Sequence, residues 1–155
     1  MRRIICLTVC AVLLAGCAAA ETVTLPNSRY VIDVPDSMVY SPAVDTDYGM
    51  EAYYSETLEM DYASYPVSQA RELGMPETLR EAAEDRAARG LDVELRKING
   101  IETLCYRVTD EVDGAPCIGY VFMDGEWMIE IDFWYATQEA ADMTKEIMET
   151  IRVNE

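Results

Sequence analysis

Four runs of alternating apolar and polar residues follow one another between Leu91 and Tyr135. A period of two is typical of strands that bury one face. Asn99-Gly100 and Asp124-Gly125 are two-residue hairpin signals between successive runs. The pattern therefore predicts a four-stranded antiparallel meander, with a three-residue loop, Val112-Asp113-Gly114, between its two hairpins.

The register of the meander follows if each hairpin is centred on its turn. The first hairpin then pairs Leu95 with Leu104, Val93 with Tyr106, Asp92 with Arg107 and Lys97 with Glu102. The second pairs Phe122 with Trp127, Tyr120 with Ile129 and Ile118 with Ile131.

The connection between the hairpins decides which residues share a face. A two-residue turn at Asp113-Gly114 would place the apolar residues of the two hairpins on opposite faces, whereas a three-residue loop places them on one face. We expect one buried face, formed by Val93, Leu95, Leu104, Tyr106, Val108, Ile118, Tyr120, Phe122, Trp127, Ile129, Ile131 and Phe133.

Helices are predicted to cover this face. The last one begins after Thr137, a suitable N-cap, and carries Ala140, Met143, Ile147 and Ile151 at helical spacing. An alanine-rich helix runs from Pro76 or Glu77 to Arg89 and ends at Gly90, and a shorter helical stretch begins at Ser68. The predicted fold class is α+β, an antiparallel sheet meander covered by helices.

The N-terminal third predicts further strands. Tyr30, Ile32 and Val34 alternate with other residues before a turn at Pro35-Asp36-Ser37. Two more strands joined near Glu56 are expected to bury residues of one parity, namely Met50, Ala52, Tyr54, Leu58, Met60 and Tyr62.

The stretch YVIDVPDSMVYS, Tyr30 to Ser41, resembles the opening strand–turn–strand of the PsbP-like fold. That family includes the extrinsic photosystem II protein and many small bacterial secreted proteins and lipoproteins. The order of elements is similar, down to a terminal helix ending in ETIRV, Glu149 to Val153, so that the resemblance covers about residues 28–153. It implies an α/β/α sandwich, a binding or structural role and no catalytic residues.

The N-terminus resembles a bacterial lipoprotein signal peptide, predicted over residues 1–16. Arg2 and Arg3 precede a short apolar run, and Leu14-Ala15-Gly16-Cys17 resembles the lipobox. This pattern predicts lipidation of Cys17, which would anchor the protein to a membrane on the extracytoplasmic side of the cell envelope. Simple secretion after cleavage behind Ala20 is the alternative. A short tether over 17–27 and a single α+β domain over 28–155 are then expected.

Charge and composition limit the function classes. The chain has 29 acidic and 12 basic residues, a net charge of −17, which argues against nucleic-acid binding. It has no histidine, the usual proton shuttle and the commonest zinc ligand. We therefore predict no catalytic residue, no cofactor and no metal site; with so many acidic residues, carboxylate pairs are expected by chance.

The two cysteines of the meander, Cys105 and Cys117, are expected to be buried free thiols. In the predicted register they share a face but lie about 13 Å apart, at about 3.3 Å per residue along a strand. That separation is too large for a disulfide.

The predicted function is that of a membrane-anchored lipoprotein acting as a non-catalytic binding or accessory module. An envelope structural or assembly factor and a carboxylate-dependent hydrolase are the alternatives. A protein partner is expected at the acidic, tyrosine-rich segment 45–66, which would favour a basic partner. Tyr48, Tyr53 and Tyr65 are the candidate contacts, with Tyr53 on an outward face that also carries Glu51, Ser55, Thr57, Glu59 and Asp61.

Overall fold

The structure, a computed structural model, describes residues 19–45 and 50–154. The signal segment, Cys17 and Tyr48 lie outside these ranges. The strands are β1 (Ala20–Thr24), β2 (Tyr30–Pro35), β3 (Val39–Asp45), β4 (Met50–Tyr54), β5 (Leu58–Pro66), β6 (Asp92–Ile98), β7 (Ile101–Thr109), β8 (Pro116–Asp124), β9 (Trp127–Tyr135) and β10 (Arg152–Val153). The helices are α1 (Val67–Leu73), α2 (Leu79–Ala88) and α3 (Gln138–Met148).

The strands form two antiparallel sheets, which confirms the α+β class. A small sheet has the order β1-β2-β10, and a large sheet has the order β3-β4-β5-β9-β8-β7-β6. One face of the large sheet packs against α3 and the small sheet in a common hydrophobic core. The other face carries α2 and a second, smaller core. We call these the α3 face and the α2 face.

Both longer helices begin at a threonine whose hydroxyl accepts a backbone hydrogen bond. Thr137 accepts from Ala140 N at 3.1 Å, as predicted. Thr78 accepts from Glu81 N at 3.2 Å, so α2 begins at Leu79 rather than at Pro76 or Glu77. The predicted short helix is α1, and it ends at Gly74, whose φ of 68° lies in the left-handed region.

The first hairpin of the meander has the predicted register throughout, including Leu95 opposite Leu104 and Asp92 opposite Arg107. Its turn residues Asn99 and Gly100 both have positive φ, as a type I′ turn requires. The Asn99 amide also donates to Glu149 O at 2.7 Å and to Ile151 O at 3.0 Å. The turn is thereby attached to the end of α3.

The predicted register of the second hairpin is wrong by two residues. Asp124 faces Trp127 and Phe122 faces Ile129. Gly125, with φ 60°, occupies the first central position of the turn, as in type II′, whereas the prediction placed glycine second. Because the error is an even number, each residue keeps its face.

The single buried face predicted for the meander is wrong. The loop between β7 and β8 has four residues rather than three, since Asp110 N donates to Ala115 O at 2.8 Å. Cys105 consequently faces Tyr120, and the strands shift by one residue relative to the prediction. The apolar set of the first hairpin lies on the α2 face and that of the second on the α3 face. Helices cover both faces, so both can be apolar.

The two cysteines are free and buried, as predicted. The prediction that they share a face is wrong, because the one-residue shift between β7 and β8 turns them to opposite faces. Cys105 belongs to the core of the α3 face, whereas Cys117 faces Trp134 on the α2 face.

The N-terminal strands differ from the prediction in two places. Residues 20–24, expected in a tether, form β1 and pair with β2, where the β-branched run Thr22-Val23-Thr24 suits a strand. The β4–β5 turn has two residues, because Ser55 N donates to Leu58 O at 2.7 Å. Tyr53 therefore faces Met60. The core of the α3 face thus receives odd-numbered Tyr53 from β4 but even-numbered residues from β5.

None of the helices in the described ranges has the length and apolarity needed to cross a bilayer.

Candidate functional site

A buried arginine connects α2 to the large sheet. Arg86 is only 8% exposed, and its guanidinium forms an ion pair with Glu130 of β9. The guanidinium carbon lies 4.5 Å from the centre of the Tyr106 ring. A buried charge is tolerated when it is paired in this way. The helix is thus held on the sheet by polar contacts as well as by its small apolar side chains.

Tyr106 reaches two carboxyl groups with one hydroxyl. Its oxygen lies 2.7 Å from Glu130 Oε1 and 2.6 Å from Asp132 Oδ1. A phenol has one proton and can donate to only one of them. The second contact is satisfied if the other carboxyl is protonated and donates to the phenol oxygen.

Asp132 is the carboxyl best placed to hold that proton. Burial, followed by the nearby charge of Glu130, raises the pKa of Asp132 to about 7. Its partner across the β5–β9 ladder is another acid, Asp61. Burial, followed by the charge of Glu59, raises the pKa of Asp61 to about 6. Two neighbouring carboxyls thus titrate near neutral pH.

A glycine makes room for Tyr106. Gly119 lies beneath the ring, and a Cβ at this position would lie 2.1 Å from Tyr106 Cζ. No side chain other than hydrogen fits there without moving the ring. The position of the hydroxyl between Glu130 and Asp132 therefore depends on Gly119.

Beyond Asp132 the α2 face opens to solvent. Helix α2 packs on β6, β7 and β8 and leaves the adjoining part of β5 and β9 uncovered. A shallow groove of about 280 Å³ there is lined by Glu59, Asp61, Asp110, Asp113, Ala115 and Trp134. We call this groove the acidic face.

The acidic face does not have the geometry of a metal site. No group of three His, Cys, Asp or Glu side chains in the described part of the chain is arranged to hold a metal ion. The Asp110 carboxylate accepts from the backbone N–H groups of Val112 and Asp113 at 2.7 and 3.1 Å, which lowers its pKa. This carboxylate therefore orders the loop and stays charged.

The structure does not bring the candidate tyrosines together. Tyr53, expected on an outward face, is 5% exposed and packs in the core of the α3 face beside Tyr62, so its predicted exposure is wrong. Tyr65 lies on the opposite face, partly buried, with its hydroxyl 2.8 Å from Met128 Sδ and its pKa raised to about 12 by burial. Only Glu59 and Asp61 of the predicted outward set contribute to the acidic face.

Sequence reasoning missed Asp132, Glu130 and Trp134. They alternate with apolar residues in β9, a pattern that is typical of a solvated strand face. No signal in the sequence singles them out, because the sequence does not show that β9 lies in the middle of the large sheet. A central strand that lies partly under a helix cannot leave two acids fully solvated.

We predict that Gly119→Ala destabilises the protein by about 3 kcal/mol, because the added methyl group displaces the Tyr106 ring and disrupts its hydrogen bonds. Urea unfolding measures this change. In a Tyr106→Ala background the same substitution should cost less than about 0.5 kcal/mol, since the obstructing ring is absent. Equal costs in the two backgrounds would show that the ring contact is not the cause.

We predict that the free energy of unfolding falls as the pH rises from about 4 to about 8. Folded Asp61 and Asp132 have raised pKa values, so they hold protons that the unfolded chain has released, and this stabilisation is lost as the pH passes their folded pKa values. Asp132→Asn should reduce the fall by an amount on the order of 2 kcal/mol. Exposed Asp36→Asn serves as the control and should leave it unchanged. An undiminished fall in Asp132→Asn would refute the assignment.

Comparisons with known proteins show the fold. A search of protein-family models finds no match, and a search of curated proteins finds none either. Among solved structures, the cyanobacterial PsbP (CyanoP) of Synechocystis sp. PCC 6803 is similar, with a TM-score of 0.54 and 17% identity over 90% of this chain and 95% of that one.

A protein of Bacteroides thetaiotaomicron VPI-5482 is also similar, with a TM-score of 0.58 and 12% identity over 82% of this chain. The match covers only 46% of that protein. At these identities the likeness concerns the fold, and the fold of this chain is PsbP-like.

Proposed function

We propose that the protein is a lipoprotein of the cell envelope, anchored through Cys17, that acts as a non-catalytic binding or accessory module. Its acidic face receives a Lys- or Arg-rich segment of a protein partner. One observation carries this proposal, namely that Asp61, the ladder partner of the buried Asp132, lines a groove where Glu59, Asp110 and Asp113 add further acids. The PsbP-like fold supports the choice of a binding role over a catalytic one.

The pairing of Asp61 with Asp132 lowers the stability of the sheet, and nothing in the fold requires acids at these two positions. Like charges directly opposite each other on neighbouring strands destabilise a sheet. Asp61 and Asp132 respond by binding protons near neutral pH, as their raised pKa values indicate. A cationic side chain in the groove would stabilise both carboxylates and release those protons. Binding of a basic segment should therefore strengthen as the pH rises above 6.

Trp134 gives the groove its aromatic wall. It faces Glu59 across the ladder and lines the groove together with Asp61, so its ring lies beside the carboxylates. A guanidinium can stack on an indole while it pairs with an adjacent carboxylate. This combination favours an arginine-containing segment over an isolated inorganic cation.

The proposed anchor is close to the folded domain. Strand β1 begins at Ala20, three residues after Cys17. An extended chain of this length spans about 10 Å. A lipid on Cys17 would therefore hold the domain near the bilayer, while its negative charge keeps it from lying flat on anionic lipid.

A carboxylate-dependent hydrolase is the second candidate. Two carboxyls with pKa values near 6 and 7 have the property that general acid–base chemistry requires. The binding role is preferred because the acidic face is a shallow open groove, whereas such chemistry uses sites that exclude water. Tyr106 also holds the carboxyl of Asp132 from below.

We predict that Glu59→Gln/Asp61→Asn weakens binding of a hexa-arginine peptide to the full chain at least about tenfold, because it removes two carboxylates from the groove. Titration calorimetry at low ionic strength measures the affinity. The matched control is Glu84→Gln/Glu146→Gln, which removes two exposed acids from α2 and α3. Equal weakening in both variants would mean that only net charge matters and would exclude the site.

We predict that Cys17→Ser moves the protein from the membrane fraction to the soluble fraction of expressing bacteria, because the serine cannot carry the lipid. Fractionation and mass spectrometry of the mature N-terminus provide the measurement. Cys10→Ser, within the apolar run, should leave the location unchanged. If Cys17→Ser stays in the membrane fraction, or if the unmodified chain begins behind Ala20, the anchor is not on Cys17.

A further inference from the structure

A second groove lies on the opposite side of the large sheet, between the edge strand β6 and α3. Its volume is about 280 Å³, and it is lined in part by Arg96, Tyr120, Thr144 and Lys145. A neighbouring groove of about 420 Å³ shares Arg96 and Lys145 with it. Three of the lining residues are basic and two are acidic, whereas the chain as a whole carries 29 acidic and 12 basic residues.

Arg96 has hydrogen-bonding capacity that the described protein groups do not use. Its Nε is buried and has no hydrogen-bond partner, and none of the ion pairs between described residues includes Arg96. The Cys105 thiol lies beside this guanidinium, but burial raises the pKa of the thiol and keeps it neutral, and a neutral thiol is only a weak acceptor. A buried guanidinium donor without an acceptor is costly and calls for an explanation.

An aromatic ring flanks this guanidinium. Its carbon lies 6.0 Å from the centre of the Tyr120 ring. The Tyr120 ring packs edge-on against Phe133, with 5.8 Å between the ring centres, and Thr144, which is fully buried in α3, lines the same groove. An arginine that lies against an aromatic ring loses less conformational entropy when its planar guanidinium binds a planar acceptor.

The other two basic residues differ in how far they are already paired. Arg107 forms an ion pair with Asp92 at 2.8 Å. Lys145 is exposed, and its only ion pair within the described residues is a long one, 3.8 Å to Glu149. Arg96 and Lys145 are therefore the two cations in the groove whose charge is available to an anion.

We propose that this groove binds the carboxylate group of a small organic acid. Arg96 donates hydrogen bonds to the carboxylate through the planar fork of its guanidinium, Lys145 adds a second positive charge, and Tyr120 contacts the apolar body of the ligand. Glu94 and Asp142 also line the groove. They repel a phosphate dianion more strongly than a monoanionic carboxylate, so the carboxylate is the favoured class.

The test is a titration of the full chain, labelled with ¹⁵N and kept in detergent micelles, with benzoate as the carboxylate probe. The expected result is a saturable change in the NMR signals of Arg96 Nε–H and the Thr144 amide. Arg96→Met should weaken benzoate binding at least about tenfold, because it removes the charged fork but keeps an unbranched apolar side chain. Arg89→Met, which removes an exposed arginine paired with Asp85, should change it by less than about twofold.

Two further measurements separate the alternatives. Inorganic phosphate at the same ionic strength should bind more weakly than benzoate, and tighter phosphate binding would overturn the choice of carboxylate. Arg96→Lys keeps the charge without the fork and should retain only part of the affinity, which tests the site even if Arg96→Met unfolds. Absence of a saturable change with benzoate, or equal effects of Arg96→Met and Arg89→Met, would overturn the site.

Discussion

The pairing of β7 with β8 decides which side chains lie on each face of the large sheet. With Cys105 opposite Tyr120, Leu104 and Tyr106 lie on the α2 face while Tyr120 and Phe122 lie on the α3 face. A slip of one residue would move every side chain of β7 to the other face. The four-residue loop, closed by the Asp110 carboxylate, fixes the pairing at one end. The Asn99–Gly100 turn, bonded to the end of α3, fixes β7 at the other.

The polar network under α2 follows from this pairing. It places Tyr106 directly opposite Gly119, the one residue of β8 that leaves space for its ring. From there the hydroxyl reaches Glu130 and Asp132, and the ring supports the guanidinium of Arg86. Because α2 has few large apolar side chains, this network adds specificity to a helix that alanines alone would hold weakly. The same network holds Asp132 beside the acidic face.

Short sequence signals such as turn and cap residues predicted the helices and strands well. They predicted poorly how strands that are joined by longer loops pair with each other. Asn99-Gly100 specifies one turn type, so the register of the first hairpin could be read from the sequence. Asp124-Gly125 fits two turn types, which differ by two residues in register. The face of Tyr53 depended on the length of the β4–β5 loop, which no Gly, Asn or Asp marks. The site around Asp132 depended on the β7–β8 pairing and on a second covered face. A pattern of alternating acids cannot reveal whether a helix lies above it.

The sheet separates two grooves of opposite character, and β7 contributes to the support of both. Cys105 lies beside Arg96 on one face, and its neighbour Tyr106 bonds to Asp132 on the other. Acids dominate one groove and cations outnumber acids in the other, while the chain as a whole is strongly negative. A basic segment and a small organic acid would therefore be attracted to different faces.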